Sequence, residues 1–378
     1  MIFSGIENMG ETPFPEVLIH GLVRDSQGRK MSKSLGNGVD PLELIDKYGA
    51  DTLRFSLSMG VAPGGDIRFS EDKMESSRNF MNKIWNASRY VRMYTEGREL
   101  KDISEVKLTA ADKWILKKLN NITGEAKKNI EKYEFGLALA KLYDFVWSDF
   151  CDWYIELTKP VLYSADDAAK TDALSVLNYV LKAILKLCHP FIPFITEEIW
   201  SNFSDTTLMT ERYPEETEAF DFEEDFDIIK EIIGKIRNIR AEMKVPVTKT
   251  FPLYLIAGNY AEKIKEASIY IEKLAGVTKI TFINSKDELT ATCSQSATNE
   301  AEIFIPLGEL VDLEKELARL QKEAEKVTAE ISRGENMLSN EGFVKKAPAK
   351  LIDAEKEKLA ANRALLEKIN QQIADIRA

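Results

Sequence analysis

The sequence predicts a mainly α-helical chain with smaller α/β pieces and a helical hairpin at its end. Three observations predict it. Apolar residues recur at steps of three and four from residue 71 to 220, as in helices that bury one face in a bundle. Short apolar runs broken by Gly and Pro occupy residues 1–70 and 221–309, as in α/β segments. Residues 310–378 alternate apolar steps of four and three with charged residues between them, the pattern of a coiled coil.

In the first stretch, the apolar runs Val17-Leu18-Ile19 and Leu53 to Leu57, punctuated by Gly and Pro, read as α/β material, and a Rossmann-like sheet of one or two strands there would have nothing to cover it. Ser70 is a candidate cap for a helix through Phe80, Ile84, Trp85 and Val91, with Glu71 and Asp72 at its positive end. A second helix starts near Thr109. Others carry Leu137 to Phe150 and Leu174 to Leu185, and the two prolines of His189 to Pro193 mark a firm boundary before a short helix at Thr196. In the third stretch a charged helix, Ile228 to Met243, precedes Pro246. Strand-like runs at Phe251 to Ala257, Lys279 to Ile283 and Ala301 to Pro306 surround a helix from Ala261 to Leu274. The last stretch has two heptad runs separated by Ser339 to Pro348, whose Gly342 and Pro348 interrupt the helix. The two should fold back as an antiparallel hairpin.

Composition narrows the function. With 378 residues the chain has room for two to four domains. Its net charge is −11, from 51 Lys and Arg against 62 Asp and Glu, which excludes indiscriminate coating of nucleic acid. A local basic face still works, because salt confines each charge to about 8–10 Å. No apolar run approaches the roughly 18 residues of a membrane span, and Met1 to Gly10 lacks a secretory pattern. A cytoplasmic monomer, with no membrane partner, is the expectation. Three well-separated cysteines and two histidines give no metal spacing. No metal site is expected, and the thiols should be reduced and buried.

The sharpest motif is Lys30-Met31-Ser32-Lys33-Ser34, with Gly28 and Gly36 nearby. Two ammonium groups three residues apart, two hydroxyls and a glycine-flanked backbone suit a polyphosphate. Composition alone also allows a merely solvated loop.

Read as a string, KMSKS is similar to the signature loop of class I aminoacyl-tRNA synthetases. The flanking His20 to Val23 and Gly49 to Arg54 resemble their valine, isoleucine and leucine branch. Along its whole length the chain resembles the valyl-tRNA synthetase family. The likeness is most specific in Ala62 to Arg68, Asn82 to Arg89 and Asn340 to Pro348, and the cysteine-rich end common in isoleucyl enzymes is missing. The resemblance implies the end of a Rossmann-type catalytic domain at 1–70 and a helical-bundle anticodon-binding domain at 71–220. It further implies a small α/β subdomain at 221–309 and a coiled-coil tRNA-binding arm at 310–378. Lys30 and Lys33 would be catalytic, Lys33 on the ATP phosphates and Lys30 holding the loop closed, with Met31, Ser32 and Ser34 completing the ATP-binding loop. Valine tRNA would be the partner, with valine, ATP and its Mg2+ joining in the full enzyme.

Two features of the family have no match in the sequence. His20 is followed by Gly-Leu-Val and His189 by Pro-Phe-Ile, so neither makes the His-Ile-Gly-His-type element, and no editing insertion is present. The expectation is a chain that binds tRNA as the C-terminal part of a valine–tRNA ligase but does not catalyse alone. The alternative is a non-catalytic tRNA-binding protein derived from a synthetase.

Several residues are candidates for RNA contact. Arg78, Lys83, Arg89 and Arg92 offer cations to phosphates, and Asn82 and Asn86 offer amides to bases or riboses. Arg237 and Arg240, with Lys244, form a basic stripe open either to RNA or to internal pairing. Trp147, Trp153, Tyr154 and Trp200 have apolar neighbours and are expected in the core. On the arm, Lys345 and Lys346 stand out because acids thin out around them. The resemblance gives the arm the role of a clamp on the outer corner of the tRNA.

Overall fold

The computed structural model describes residues 1–222, 226–310, 313–339 and 349–377. The chain divides into two compact units, Met1–Asp225 and Phe226–Ala378. It is mainly helical, as its periodicity predicts.

The first unit opens with α1 (Ile2–Met9), β1 (Val23–Arg24), α2 (Pro41–Tyr48), α3 (Ala50–Ser58) and β2 (Ile67–Arg68). Its sheet is two short parallel strands, with Val23 opposite Ile67 and Arg24 opposite Arg68. Asp66 holds this pair together. Its carboxylate accepts from the Leu22 N–H at 2.8 Å and pairs with Arg24 at 2.5 Å. Gly21 is required here, because a Cβ would sit 1.9 Å from the Gly65 carbonyl oxygen. Met1, Phe3, Met9, Val17 and Ile19 are exposed.

The bundle follows as α4 (Glu71–Thr95), α5 (Ala110–Glu131), α6 (Phe135–Asp144), α7 (Ile155–Leu162), α8 (Asp167–Cys188) and α9 (Pro193–Trp200). Thr109 and Asp112 close a reciprocal cap on α5, and Asp166 caps α8 by accepting from Ala169 N–H at 3.0 Å. Residues Phe145–Tyr154 form a π-helix between α6 and α7, which apolar periodicity does not foresee. The core contains Phe80, Ile84, Val91, Trp114, Leu139, Phe150, Leu177 and Leu185, each contributing about 1.5–3 kcal/mol by leaving water. Trp85 departs from the expectation. It points away from that core and is 37% exposed.

Two residues tie α3 to the bundle. Ile192, ahead of α9, has no side chain able to cap it. The Asp51 carboxylate supplies the cap from a distance, accepting from Phe194 N–H at 3.3 Å and Ile195 N–H at 2.6 Å. Burial nonetheless pushes its pKa up, against those hydrogen bonds. Arg54 donates to the carbonyls of Phe191 and Pro190 at 3.1 and 3.0 Å. The proline-marked boundary is therefore the place where α3 is clasped, and the short helix starts at Pro193 rather than Thr196.

The second unit holds α10 (Asp227–Glu242), β3 (Phe251–Ile256), α11 (Ala261–Glu266), α12 (Ser268–Ala275), β4 (Val277–Phe282), β5 (Cys293–Ala297), β6 (Glu302–Pro306), α13 (Leu307–Leu310), α14 (Leu313–Ser339) and α15 (Ala349–Arg377). The sheet order is β4-β3-β6-β5, parallel between β3 and β4 and antiparallel elsewhere. One helix expected over 261–274 is two, divided at Ala267. The isoleucines of α10 at 228, 229, 232, 233, 236 and 239 are all buried. Helices α14 and α15 pack along each other, burying Leu320, Ile331 and Ile369. Ion pairs Glu330–Lys358 (3.5 Å) and Glu335–Arg363 (2.6 Å) link them.

Candidate phosphate-binding loop and RNA-contact faces

The loop at 30–34 is built around one buried carboxylate. Asp25 opens a tight turn in which Gly28 N–H donates to the Asp25 carbonyl at 2.9 Å and Gly28 takes φ +81°. Its Oδ1 accepts from the N–H groups of Gln27 (3.0 Å) and Arg29 (2.7 Å). Its Oδ2 accepts from Arg29 Nε at 2.7 Å and Asn37 Nδ2 at 2.9 Å. Asn37 then spans the loop. The same Nδ2 donates to the Lys30 carbonyl at 3.2 Å, and Asn37 Oδ1 accepts from Ser32 N–H at 2.9 Å. The hydrogen bond from Asn37 and the contacts of Arg29 hold the Asp25 carboxyl well below the usual carboxylate range, against its desolvation.

Ser32 caps the short 3-10 turn Lys33–Leu35 by accepting from Leu35 N–H at 3.3 Å, and its Oγ lies 3.2 Å from that of Ser34. The cations of this segment divide cleanly. Arg24 is neutralised by Asp66 and Arg29 by Asp25. Lys30 and Lys33 are exposed and, among the described residues, make no ion pair or side-chain hydrogen bond. Two uncommitted ammonium groups therefore stand on a latched loop, an arrangement suited to polyphosphate. Asp25, Asn37 and Asp66 do not belong to the sequence candidates. The signal for Asp25 was present, since Asp followed by Gly three residues later is a turn signature.

The six candidates on α4 separate into two sets. Arg78 pairs with Glu75 at 2.5 Å. Lys83 pairs with Asp152 at 2.5 Å and sits 4.6 Å above the Trp147 ring. Arg92 donates to Asn202 Oδ1 and lies 3.4 Å from Glu96. Asn82, Asn86 and Arg89 are exposed and have no such partner among the described residues. Asn86 and Arg89 line a surface cavity of about 500 Å3 with Tyr90, Arg92, Met93 and Glu96.

The basic stripe on α10 has an internal role instead. Arg240 is buried and its guanidinium lies over the Phe251 ring at 5.3 Å. It donates to the carbonyls of Ala275 (3.0 Å) and Pro246 (2.6 Å), and burial lowers its pKa. Arg237 Nε donates to the Leu274 carbonyl at 3.1 Å. The Leu274 and Ala275 carbonyls end α12, which stops at Gly276 with φ +71°. Arg240 as an RNA contact is thus corrected, because the helix C-terminus and Pro246 consume its donors. Lys345 and Lys346 lie outside the described residues.

Tyr154 is buried and donates to Asp112 at 2.5 Å, whose carboxyl is pushed up by burial. Trp200 is buried as expected, with its N–H 3.2 Å from Thr206 Oγ1. Trp147 is half-buried and stacks on Tyr143 at 5.5 Å. Cys151 and Cys188 are buried free thiols pushed up to about 12 by desolvation. Cys293 departs from the expectation, being half-exposed on β5. Among the described residues no group of three or more His, Cys, Asp or Glu could hold a metal, and no helix is long and apolar enough to cross a membrane.

Three family models match the sequence. Residues 1–70 match class I tRNA synthetases (I, L, M and V), residues 112–255 the anticodon-binding domain of tRNA ligase, and residues 312–377 the valyl tRNA synthetase tRNA binding arm. Residues 71–111 lie outside all three. The valine–tRNA ligase of Clostridium tetani is 50% identical over 100% of this chain and 44% of its own length. That of Bacillus subtilis is 44% identical over the same shares. The chain therefore spans under half the length of the curated relatives it matches. A solved LeuRS–tRNA–LeuAMS ternary complex from Agrobacterium radiobacter K84 overlaps 57% of this chain and 27% of its own at 23% identity and a TM-score of 0.45.

Proposed function

We propose that this chain, which is homologous to the C-terminal part of valine–tRNA ligases and carries their anticodon-binding and tRNA-binding-arm domains, grips valine tRNA and supplies the phosphate loop of valine activation. The observation that carries the reading is the near 50% identity sustained across the whole chain. The loop geometry supports its chemical part. In activation the valine carboxylate attacks the α-phosphorus of ATP, and the bond to pyrophosphate breaks. Negative charge grows on the leaving group. Lys30 and Lys33, with no carboxylate partner among the described residues, meet that charge, and Asp25 and Asn37 fix the backbone that carries them. Losing one such cation costs about 2.7–4 kcal/mol of transition-state stabilisation, by analogy with oxyanion donors. Mg2+ enters bound to the ATP phosphates and neutralises part of their charge. Residues 1–70 provide the loop but no His-Ile-Gly-His-type element, so activation requires the remainder of the catalytic domain.

The test is binding of the purified chain to valine tRNA and to a non-cognate tRNA across a salt series. Cognate preference, with affinity falling steeply in salt, is expected. Equal affinity for both tRNAs, or no binding at low salt, would sink the proposal.

A further inference from the structure

A cavity of about 510 Å3 opens in the first unit where three helix ends meet. The end of α3 gives it Ser58, the end of α5 gives Ile130 and Glu131, and the start of α6 gives Phe135. Phe191, ahead of α9, and Tyr213 complete its aromatic lining. The phosphate loop and the RNA-contact faces use none of these residues.

Local sequence explains the aromatic wall. Helix α5 stops at Glu131, and Tyr133 takes a left-handed backbone conformation, φ +61°, so that α6 begins at Phe135. The Tyr133 hydroxyl donates to the Glu16 carboxylate, and its ring meets that of Phe135 edge-on at 6.1 Å. The backbone of Phe191 is fixed by Arg54, which donates to its carbonyl and to that of Pro190. The Tyr213 hydroxyl is committed to the Leu187 carbonyl at 3.4 Å, which leaves the ring as its contribution to the cavity.

The charges beside the rings do not cancel. Lys127 is paired with Glu215 at 3.2 Å, whereas Glu131 has no cationic partner among the described residues. A carboxylate therefore stands with three aromatic rings, whose faces also carry partial negative charge. An anion would be repelled by both, and a neutral hydrocarbon would leave the carboxylate unused. A bare ammonium ion is strongly hydrated and would gain little from apolar walls. An ammonium carrying alkyl groups satisfies all three features. Its charge is attracted to the ring faces and to the carboxylate, and its alkyl groups leave water. The cavity also falls within the roughly 300–1,000 Å3 of small-molecule sites.

We propose that this cavity binds a small alkylated ammonium ion, with Phe135, Phe191 and Tyr213 around its alkyl groups and Glu131 opposite its charge. The assignment is independent of tRNA binding. An occupant braces the junction at which α3 is clasped to the bundle, because Ser58 ends α3 and the Pro190 and Phe191 carbonyls hold Arg54.

The experiment titrates the full chain by calorimetry with choline and with dimethylbutanol, which has the same shape with carbon in place of the charged nitrogen, at fixed ionic strength. Choline should bind saturably and raise the melting temperature as its concentration rises. Dimethylbutanol should bind about 2- to 30-fold more weakly, the range of a cation–π contribution. Glu131→Gln, at an exposed position, should weaken choline binding about 2- to 5-fold and leave dimethylbutanol binding unchanged. Phe135→Ala should weaken both ligands, and Phe135→Tyr should keep choline binding, because a phenol ring still offers its face. The comparison of the two ligands on the wild type holds even if the alanine variant folds poorly. No saturable choline binding, equal affinity for choline and dimethylbutanol, or an unchanged choline affinity in Glu131→Gln would overturn the assignment.

Discussion

Helices α4 and α10 carry the same sequence signal, arginines at helical spacing, and put it to opposite ends. On α10, Arg237 and Arg240 face the carbonyl end of α12 and satisfy Leu274 and Ala275. On α4, Arg89 is exposed and pairs with no carboxylate among the described residues. The spacing of cations therefore says which residues share a face. It does not say whether orphan carbonyls nearby will claim them. Gly276 matters here, because a Cβ at that position would lie 2.4 Å from Arg240 Nη1. The contrast is broken most directly by truncation. Arg240→Ala leaves two carbonyls without their charged donor, at about 1.5–3 kcal/mol each, so the second unit should lose roughly 3 kcal/mol or more of stability in urea. Arg89→Ala, at a solvated position, should change stability by less than about 0.5 kcal/mol. Similar losses from the two would remove the distinction.

RNA binding should show the reverse order. Arg89→Ala should flatten the dependence of log affinity on log salt by about 0.7–0.9, the yield of one released counterion. Arg237→Ala should leave that slope alone provided the second unit stays folded. A reduced slope from Arg237→Ala would show that this side chain leaves the Leu274 carbonyl to meet RNA.

The phosphate loop extends the comparison to its own four cations, two paired and two free. Asp25→Ala removes the carboxylate that organises the turn and should speed hydrogen exchange at the N–H groups of Arg29 and Ser32 without shifting global melting. Protection of these groups should be constant from pH 7 to pH 5. The folded-state pKa of Asp25 lies below its ordinary value of 3.8, so the carboxylate's stabilising contribution is complete above that value and is lost only as pH falls through the lower folded pKa. Protection that declines between pH 7 and pH 5 would contradict the latch.

Much of this was legible in the sequence. Ser70 stands at the start of α4 without a side-chain capping hydrogen bond, whereas the start of α5, the isoleucine stripe of α10 and the paired helices of the arm follow from capping residues and periodicity. Strand β5 does not, since Cys-Ser-Gln-Ser-Ala has no β-branched or aromatic residue and is held as a strand by pairing with β6. Trp85 belongs by type with the apolar stripe of Phe80, Ile84 and Val91, yet its phase differs. It follows Ile84 directly and so lies about 100° around the helix from it. Lys30 and Lys33 were legible as a motif, but their freedom depends on Asp25 and Asp66 claiming the neighbouring arginines. Asp66 is 42 residues from Arg24, a pairing that local pattern does not contain.

The smallest effect sharpens the line between used and unused cations on α4 itself. Lys83 is one residue from Asn82, but it turns toward Asp152 and lies over Trp147, which stacks in turn on Tyr143. Its ion pair is partly exposed, at 30% and 46% for the two side chains, so breaking it should cost only about 0.2–1 kcal/mol. Lys83→Ala should therefore lower the melting point slightly and leave the salt slope of RNA binding at the wild-type value. If the slope fell as far as in Arg89→Ala, Lys83 would be exchanging Asp152 for a phosphate on binding. The RNA face would then wrap from the exposed stripe onto the side of α4 that meets the π-helix.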